Sequence, residues 1–420
     1  MKKIWIILLT SILLCFFSPS TKAQEGGSGY SRYGLGDIRY VTSSRAIGMG
    51  SAGIASLSTN SMNQMNPAAW VRINRTRYAA GARYEGYSIS DGNQSTFLSG
   101  ATFDGVTLSV PASVSSGIVF TAGIVPFSRV NYNIVSPDTQ AGIDYLLQYL
   151  GKGGVSLGYF GTSASITGDL HIGAKLNYYV GTVQHSVKQT FASSAYTSSE
   201  VVRSDRLRGA GFTFGTVYGG LKKILDLSED RTLDVGALLT TTSYLTASEE
   251  RFYRYTTASL TSRDTTESSD GKIRLPYALG FGISYGTDRF LIAGDLYYQN
   301  WHRYTKNGIP DVELRDSYRF GIGAEILPKR DPSAPFTQRM SYQFGSFYQS
   351  SYYRIKNEPI NEIGLTGGLE LPIFGDTRLN IAGELSVRGT TKYGLQKDRI
   401  LRISFTLSSS ELWFVRPEEE

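Results

Sequence analysis

The chain has 420 residues, a formal net charge of +6 and a single cysteine, Cys15. Cys15 lies inside an apolar N-terminal run, so neither a disulfide scaffold nor a thiolate metal site is predicted. Loss of three lysines with a cleaved leader (Lys2, Lys3, Lys22) reduces the charge from +6 to +3, too weak a basic excess to indicate nucleic-acid binding.

The first residues have the pattern of a signal peptide. Lys2 and Lys3 form a basic head, and the run Ile4–Phe17 is apolar but too short to span a membrane as a helix. The small residue Ala23 then precedes Gln24. We therefore predict a cleaved leader over residues 1–23 and export of the mature chain.

The next segment, residues 24–75, has no sustained alternation and is rich in small residues. A disordered periplasmic tail is one interpretation, and a hatch folded into a barrel lumen is the other. Scattered apolar residues favour the hatch, because a disordered tail would contain fewer of them. These residues are Ile47, Met49, Ile54, Leu57, Met62, Met65 and Trp70.

Residues 76–414 alternate in many short runs, with 46 glycines and 28 tyrosines in the whole chain. In one run the residues expected to face lipid are Tyr318, Phe320, Ile322, Ala324 and Ile326. Arg319 and Glu325 of the same run are expected to face the lumen, and so is Asp295 of another run. We predict an all-β fold: a transmembrane antiparallel β-barrel of about fourteen strands with an N-terminal hatch in the lumen, followed by a periplasmic tail over residues 415–420. The candidate strands lie near 76–90, 96–110, 116–135, 154–165, 169–190, 204–222, 232–247, 272–286, 288–301, 315–327, 338–350, 360–371, 377–388 and 399–408.

The connections between these runs alternate in length, as expected for long extracellular loops and short periplasmic turns. The predicted loops are 136–153, 191–203, 248–271, 302–314 and 352–359. The predicted turns are 111–115, 167–168, 225–230, 286–288, 328–336 and 372–375.

The motif Asn66-Pro67-Ala68 follows the small-residue run SRAIGMGSAGIAS and precedes the first strand. This arrangement resembles the hatch of the FadL family of outer-membrane transporters for long-chain fatty acids and other hydrophobic compounds. Later segments, including LPYALGFGISY and the closing RISFTLSSSELWF, resemble the branch of that family found in Bacteroidetes.

The resemblance implies passive uptake of a hydrophobic small molecule, with capture at an extracellular apolar groove and sideways release into the membrane after hatch movement. The spacing of Ile143, Leu146, Leu147 and Leu150 within 141–150 predicts an amphipathic helix as the groove, or else a helix packed on the barrel rim. Pro126 is the candidate wall kink, because proline cannot donate to a strand ladder, or else it marks a strand end.

Two other functions remain open from the sequence. The chain could be a non-transporting FadL-like adaptor for secreted proteins, of the PorV type in type IX secretion, or an outer-membrane enzyme. The three histidines, His171, His185 and His302, lack metal-ligand spacing, and we expect no enzymatic activity, catalytic residue, cofactor or metal. The expected partners are the hydrophobic substrate, outer-membrane lipid and the barrel-assembly machinery during biogenesis, with a monomeric state and no nucleic acid.

Overall fold

The computed structural model describes residues 24–413 except 141, 194, 257–260, 330 and 332. The predicted leader, residues 1–23, and the predicted tail, residues 415–420, lie outside the described residues. No helix within the described part of the chain is long and apolar enough to cross a membrane.

Fourteen long strands form a closed antiparallel barrel, which confirms the predicted fold class. Each strand pairs with its neighbours in sequence order, and the last strand pairs with the first from Glu411 opposite Thr76 to Lys397 opposite Ser90. The strands are β1 Thr76–Ser90, β2 Ser95–Ser113, β3 Ile118–Gln140, β4 Ile143–Ser165, β5 Leu170–Phe191, β6 Ser198–Tyr218, β7 Thr232–Thr240 with Ser243–Thr256, β8 Thr261–Leu275 with Ala278–Gly286, β9 Phe290–Gln299, β10 Ser317–Ile326, β11 Ser341–Ile355, β12 Glu358–Pro372, β13 Arg378–Gly389 and β14 Lys397–Glu411.

Strands β3 to β8 continue well past the others at one end, which we call the outer end. The predicted long loops 136–153, 191–203 and 248–271 are therefore wrong: β3 and β4, for example, stay paired up to Gln140 opposite Ile143. The two ends of the barrel differ because six strands extend further at the outer end, not because the loops there are long. Above a membrane both faces of a strand contact water, so the sequence there has no apolar alternation that would reveal the strand.

The two faces of the barrel wall differ as expected from the alternation. On β10, Phe320 and Ile322 are 49% and 58% exposed on the outside, whereas Glu325 is 2% exposed and points into the lumen. Asp295 on β9 also points inward and accepts backbone hydrogen bonds from Gly53 and Ile54, at 2.7 and 2.8 Å. The lipid and lumen faces predicted for these strands are confirmed.

Residues 26–73 fill the lumen and contact strands around the whole barrel. Their core side chains are fully buried, with Ile54 and Trp70 each 0% exposed. The segment contains two-residue strands at Gln24–Glu25 and Asp37–Ile38, an α-helix at Ser44–Gly48, and 3₁₀ helices at Gly29–Arg32 and Pro67–Arg72. We call residues 24–73 the hatch.

The remaining helices and short strands lie in the connections. They are the α-helix Leu221–Ile224, the 3₁₀ helices Trp301–Arg303, Phe336–Gln338 and Lys392–Gly394, and the two-residue strands Thr305–Lys306 and Ile309–Pro310. The connection 300–316 folds inward over the hatch: Trp301 is 0% exposed, and its ring stacks on Tyr352 with centroids 4.3 Å apart. An aromatic cap therefore covers the hatch at the outer end.

Candidate functional site

The Asn66-Pro67-Ala68 motif joins the hatch to the wall. The Asn66 side chain caps the 3₁₀ helix by accepting from the Ala68 amide at 3.0 Å, and Pro67 is the first helical residue. The Nδ2 atom of Asn66 donates to the Ile54 carbonyl at 2.9 Å and to the Thr216 carbonyl of β6 at 3.1 Å. Asparagine is therefore required both to start the helix and to hold it against the wall.

Ion pairs tie the hatch to the barrel on several sides. Arg45 donates to Glu325 of β10 at 3.1 Å, and Asp37 accepts from Arg388 of β13 at 2.8 Å. The Lys175 ammonium of β5 donates to the Gln64 carbonyl at 2.6 Å. Removing the hatch as a unit would expose all of these groups together.

Glu85 of β1 lies at the centre of a group of three arginines in the lumen. Its carboxylate is 1% exposed and lies 2.5 Å from Arg39, 3.0 Å from Arg129 and 3.3 Å from Arg402. Burial by itself lowers the pKa of the Arg39 guanidinium, but the adjacent Glu85 carboxylate outweighs burial, so the pKa of Arg39 is raised. Both groups stay charged, and the hatch is held by charge at this point.

Two cavities between the hatch and the wall have volumes of about 60 and 90 Å³, and one within the hatch has a volume of about 30 Å³. An apolar cavity that is known to bind benzene has a volume of roughly 150 Å³. The first is lined by charged groups, including Arg83, Glu362 and Arg388. These three spaces are therefore too small for a hydrophobic substrate in the conformation described.

The wall itself has a seam between β2 and β3. The two strands pair from Ser113 opposite Ile118 only as far as Val106 opposite Ile124, and in the fully described stretch above that point they separate. Each strand has an irregularity at the separation: β2 bulges next to Gly105, which has φ +104°, and β3 shifts register between Pro126 and Ser128. Pro126 thus lies where the seam begins, which is the place expected for a wall kink.

The hatch covers the seam with its own backbone. Residues 24–25 pair in parallel with Leu98 and Ser99 of β2, and residues 37–38 pair antiparallel with β3 at Arg129 and Ser128. We call residues 24–27 the strap. The Gly26 amide donates to the Ser99 carbonyl at 3.3 Å, so the strap is bonded to β2, whereas residues 37–38 pair with β3.

A cup of about 540 Å³ opens at the outer end above the strap. It is lined by apolar and charged residues of both signs, including Ile89, Ile134, Arg32 and Glu313. Tyr30 forms part of its floor, and burial, followed by the nearby Asp398 carboxylate, raises the pKa of this phenol to about 12. The cup is larger than the three small lumen cavities, and it leads to the seam.

The predicted amphipathic helix over 141–150 is wrong. Ile143, Leu146, Leu147 and Leu150 lie on β4, where β3 and β5 pair along both edges. Strand geometry places Ile143 and Leu147 on one face and Leu146 and Leu150 on the other, so the four do not form a stripe. Pairing on both sides overrides the helical spacing, and the cup is formed by other residues.

The three histidines are not brought together. Each has a separate partner: His171 with Ser165 at 2.9 Å, His185 with Tyr132 at 2.8 Å, and His302 with Asp316 at 2.7 Å. Among the residues that the structure describes, no group of three or more His, Cys, Asp or Glu is arranged to hold a metal ion.

The protein is a fourteen-stranded barrel of the outer-membrane type, with a polar hatch that covers a lateral seam. The chain belongs to the BamG family, whose sequence model matches residues 1–418. No curated protein matched the sequence.

Several solved structures share the fold. The CymD monoaromatic hydrocarbon channel has a TM-score of 0.57 at 13% identity, covering 88% of this chain and 98% of that one. The Ralstonia pickettii toluene transporter TbuX has a TM-score of 0.55 at 15% identity, covering 87% and 97%. A Pseudomonas aeruginosa FadL homologue has a TM-score of 0.55 at 13% identity, covering 89% and 98%. The resemblance to the FadL family is confirmed as a resemblance of fold.

Proposed function

We propose that this protein is an outer-membrane channel for hydrophobic small molecules, such as long-chain fatty acids or aromatic hydrocarbons. The observation that carries the proposal is the seam: β2 and β3 part above Val106, and the hatch pairs with the separated edges of both strands. The similar folds include proteins named as a monoaromatic hydrocarbon channel and a toluene transporter, which supports the substrate class.

In the proposed route a compound enters the cup, and the two hatch segments at the seam, the strap and residues 37–38, move aside to let it leave through the seam. The outward side chains beside the seam are apolar, with Phe97 and Phe103 of β2 49% and 60% exposed. A compound leaving there would therefore meet membrane lipid at once. The three small lumen cavities need not open for this route.

A disulfide that holds the hatch on β3 tests this route. Ile38 and Ser128 are antiparallel partners, and the mature chain is expected to lack cysteine, so Ile38→Cys with Ser128→Cys gives one defined crosslink. The matched control is Ser90→Cys with Ser95→Cys, antiparallel partners in the adjacent hairpin of β1 and β2.

Uptake of oleate and of toluene is measured in proteoliposomes before and after reduction. We expect the oxidised Ile38–Ser128 crosslink to slow uptake at least tenfold, with recovery on reduction and no effect of the control crosslink. Full uptake through the oxidised protein would contradict release through the seam.

A second candidate function, an adaptor that binds secreted proteins, is favoured by the polar packing of the lumen. An adaptor needs no substrate cavity, and the three lumen spaces of 60, 30 and 90 Å³ meet that condition. This function predicts that wild-type protein moves neither oleate nor toluene. It also predicts a stable protein partner that is lost when residues 135–148, the outer hairpin of β3 and β4, are deleted.

A further inference from the structure

The outer surface of β6 changes from apolar to basic toward the outer end. Its outward residues from Tyr218 to Ala210 include Phe214, and the next outward residue is Arg208, whereas Leu207 beside it is buried in the core. Arg208 lies ten residues from Tyr218 along the strand. At ~3.3 Å per residue and a strand tilt of ~40°, this distance corresponds to a height of ~25 Å, which is the height of the apolar band of a membrane barrel. Arg208 therefore lies at the outer limit of that band.

Two tyrosines mark the same level on the neighbouring strands. Tyr178 of β5 and Tyr244 of β7 are 50% and 63% exposed on the outside of the barrel. Both are partners of Ala210 of β6, so the three residues form one row around the wall. Exposed aromatic residues form girdles where a membrane meets water. The next row toward the outer end is therefore level with the lipid headgroups.

That next row is formed by Arg208 of β6, Thr246 of β7 and Lys272 of β8, which are direct partners across the three strands. All three are exposed. Within the described part of the chain, neither the Arg208 guanidinium nor the Lys272 ammonium has an ion pair or hydrogen bond with another residue. Two strand spacings of ~4.8 Å separate the two basic residues, and the small Thr246 leaves the space between them open. A group that lies over Thr246 is within reach of both long side chains.

The carboxylates near this row lie on the side that faces away from the membrane, and they have partners there. Asp270 of β8 accepts from the Ser248 hydroxyl at 2.6 Å, and Glu250 of β7 lies 3.5 Å from Arg206. These acids do not neutralise Arg208 and Lys272, so the row at the headgroup level keeps its positive charge.

We propose that Arg208, Thr246 and Lys272 bind the phosphate group of a lipid in the outer leaflet. A guanidinium binds phosphate through two parallel hydrogen bonds, an ammonium adds a point charge, and the threonine hydroxyl can donate a further hydrogen bond. The acyl chains of the lipid would then lie against Tyr178, Tyr244 and the apolar surface below them. This site is independent of the channel activity, because it lies on the outside of β6 to β8 and not at the seam between β2 and β3.

Binding of monophosphoryl lipid A to the full mature protein in detergent is titrated and measured by native mass spectrometry. A diacyl galactolipid, which has no phosphate, is the comparison lipid. We expect lipid A to bind at least tenfold more tightly than the galactolipid. Excess inorganic phosphate at constant ionic strength should leave lipid A bound, and its complete displacement would show that the site takes free phosphate and not a lipid.

Arg208→Gln with Lys272→Gln removes both charges from the row. The matched control is Lys152→Gln with Lys188→Gln, which removes two exposed lysines further toward the outer end of β4 and β5. We expect the first pair to weaken lipid A binding at least tenfold and the control pair to change it less than twofold, with both variants folded by heat-modifiable gel mobility.

Thr246→Asp keeps both basic residues but places a carboxylate between them, so it should also weaken lipid A binding at least tenfold. The proposal is overturned if wild-type protein binds lipid A and the galactolipid equally. It is also overturned if the Arg208 and Lys272 double variant or Thr246→Asp binds lipid A as tightly as the wild type, or if the control pair weakens binding as much as the first pair.

Discussion

Replacing Asn66 with alanine should loosen the hatch while the barrel stays closed. The Asn66 side chain is fully buried and makes hydrogen bonds of 2.9, 3.1 and 3.0 Å to Ile54, Thr216 and Ala68. Loss of the helix cap costs about 1 kcal/mol. Loss of each of the two hydrogen bonds that Nδ2 donates costs about 1 kcal/mol more. The seated hatch should thus be destabilised by about 3 kcal/mol, which lowers the ratio of seated to released hatch ~100-fold.

The assay is amide hydrogen exchange of the protein in detergent, followed by mass spectrometry. Residues 54–73 should exchange about 100-fold faster in Asn66→Ala, with no change in the barrel strands. The control is Asn60→Ala, because Asn60 is in the same hatch and only partly buried. Exchange of residues 54–73 within threefold of wild type would refute the reasoning, and so would an equal rise in the barrel strands.

Two further substitutions test how the hatch is seated. Glu85→Gln leaves three arginines around a neutral group, so the seated hatch should be destabilised by about 3 kcal/mol or more. Anion conductance in planar bilayers should therefore rise. A conductance equal to that of the wild type would argue against a role for this cluster. Gly50→Ala should prevent seating and expose Arg45 to trypsin, because Gly50 has φ +67° and its β-carbon would lie 2.3 Å from a β11 carbonyl. Gly375→Ala has a similar φ of +54° in open space, so equal trypsin sensitivity of the two variants would show that backbone strain, not the contact, is responsible.

The barrel could be predicted from the sequence wherever lipid faces one side of a strand and the lumen the other. On β10 the contrast between Phe320 and Glu325 is visible in the sequence because the two surroundings differ in polarity. The outer halves of β3 to β8 have no such contrast. There the local spacing of Leu146 and Leu147 suggested a helix, and pairing with β3 and β5 decided otherwise.

The seam could be predicted only in part. Pro126 indicated an irregular position on β3, but the parting of the strands depends on residues far away in sequence. Leu98 pairs with Gln24, and Arg39 bonds to Glu85, 46 residues further along the chain. Such contacts carry no local periodicity, so the cup and the strap become visible only once the chain is folded.

A distance across the seam tests most directly whether the seam opens. Spin labels at Ser95 of β2 and Val135 of β3 lie on the two sides of the seam, and their separation can be measured by pulsed electron resonance in lipid nanodiscs. The measurement is made with and without oleate or toluene, at concentrations that support uptake in proteoliposomes. The account predicts a longer and broader distance distribution when the compound is present. A narrow distribution that the compound leaves unchanged would contradict it.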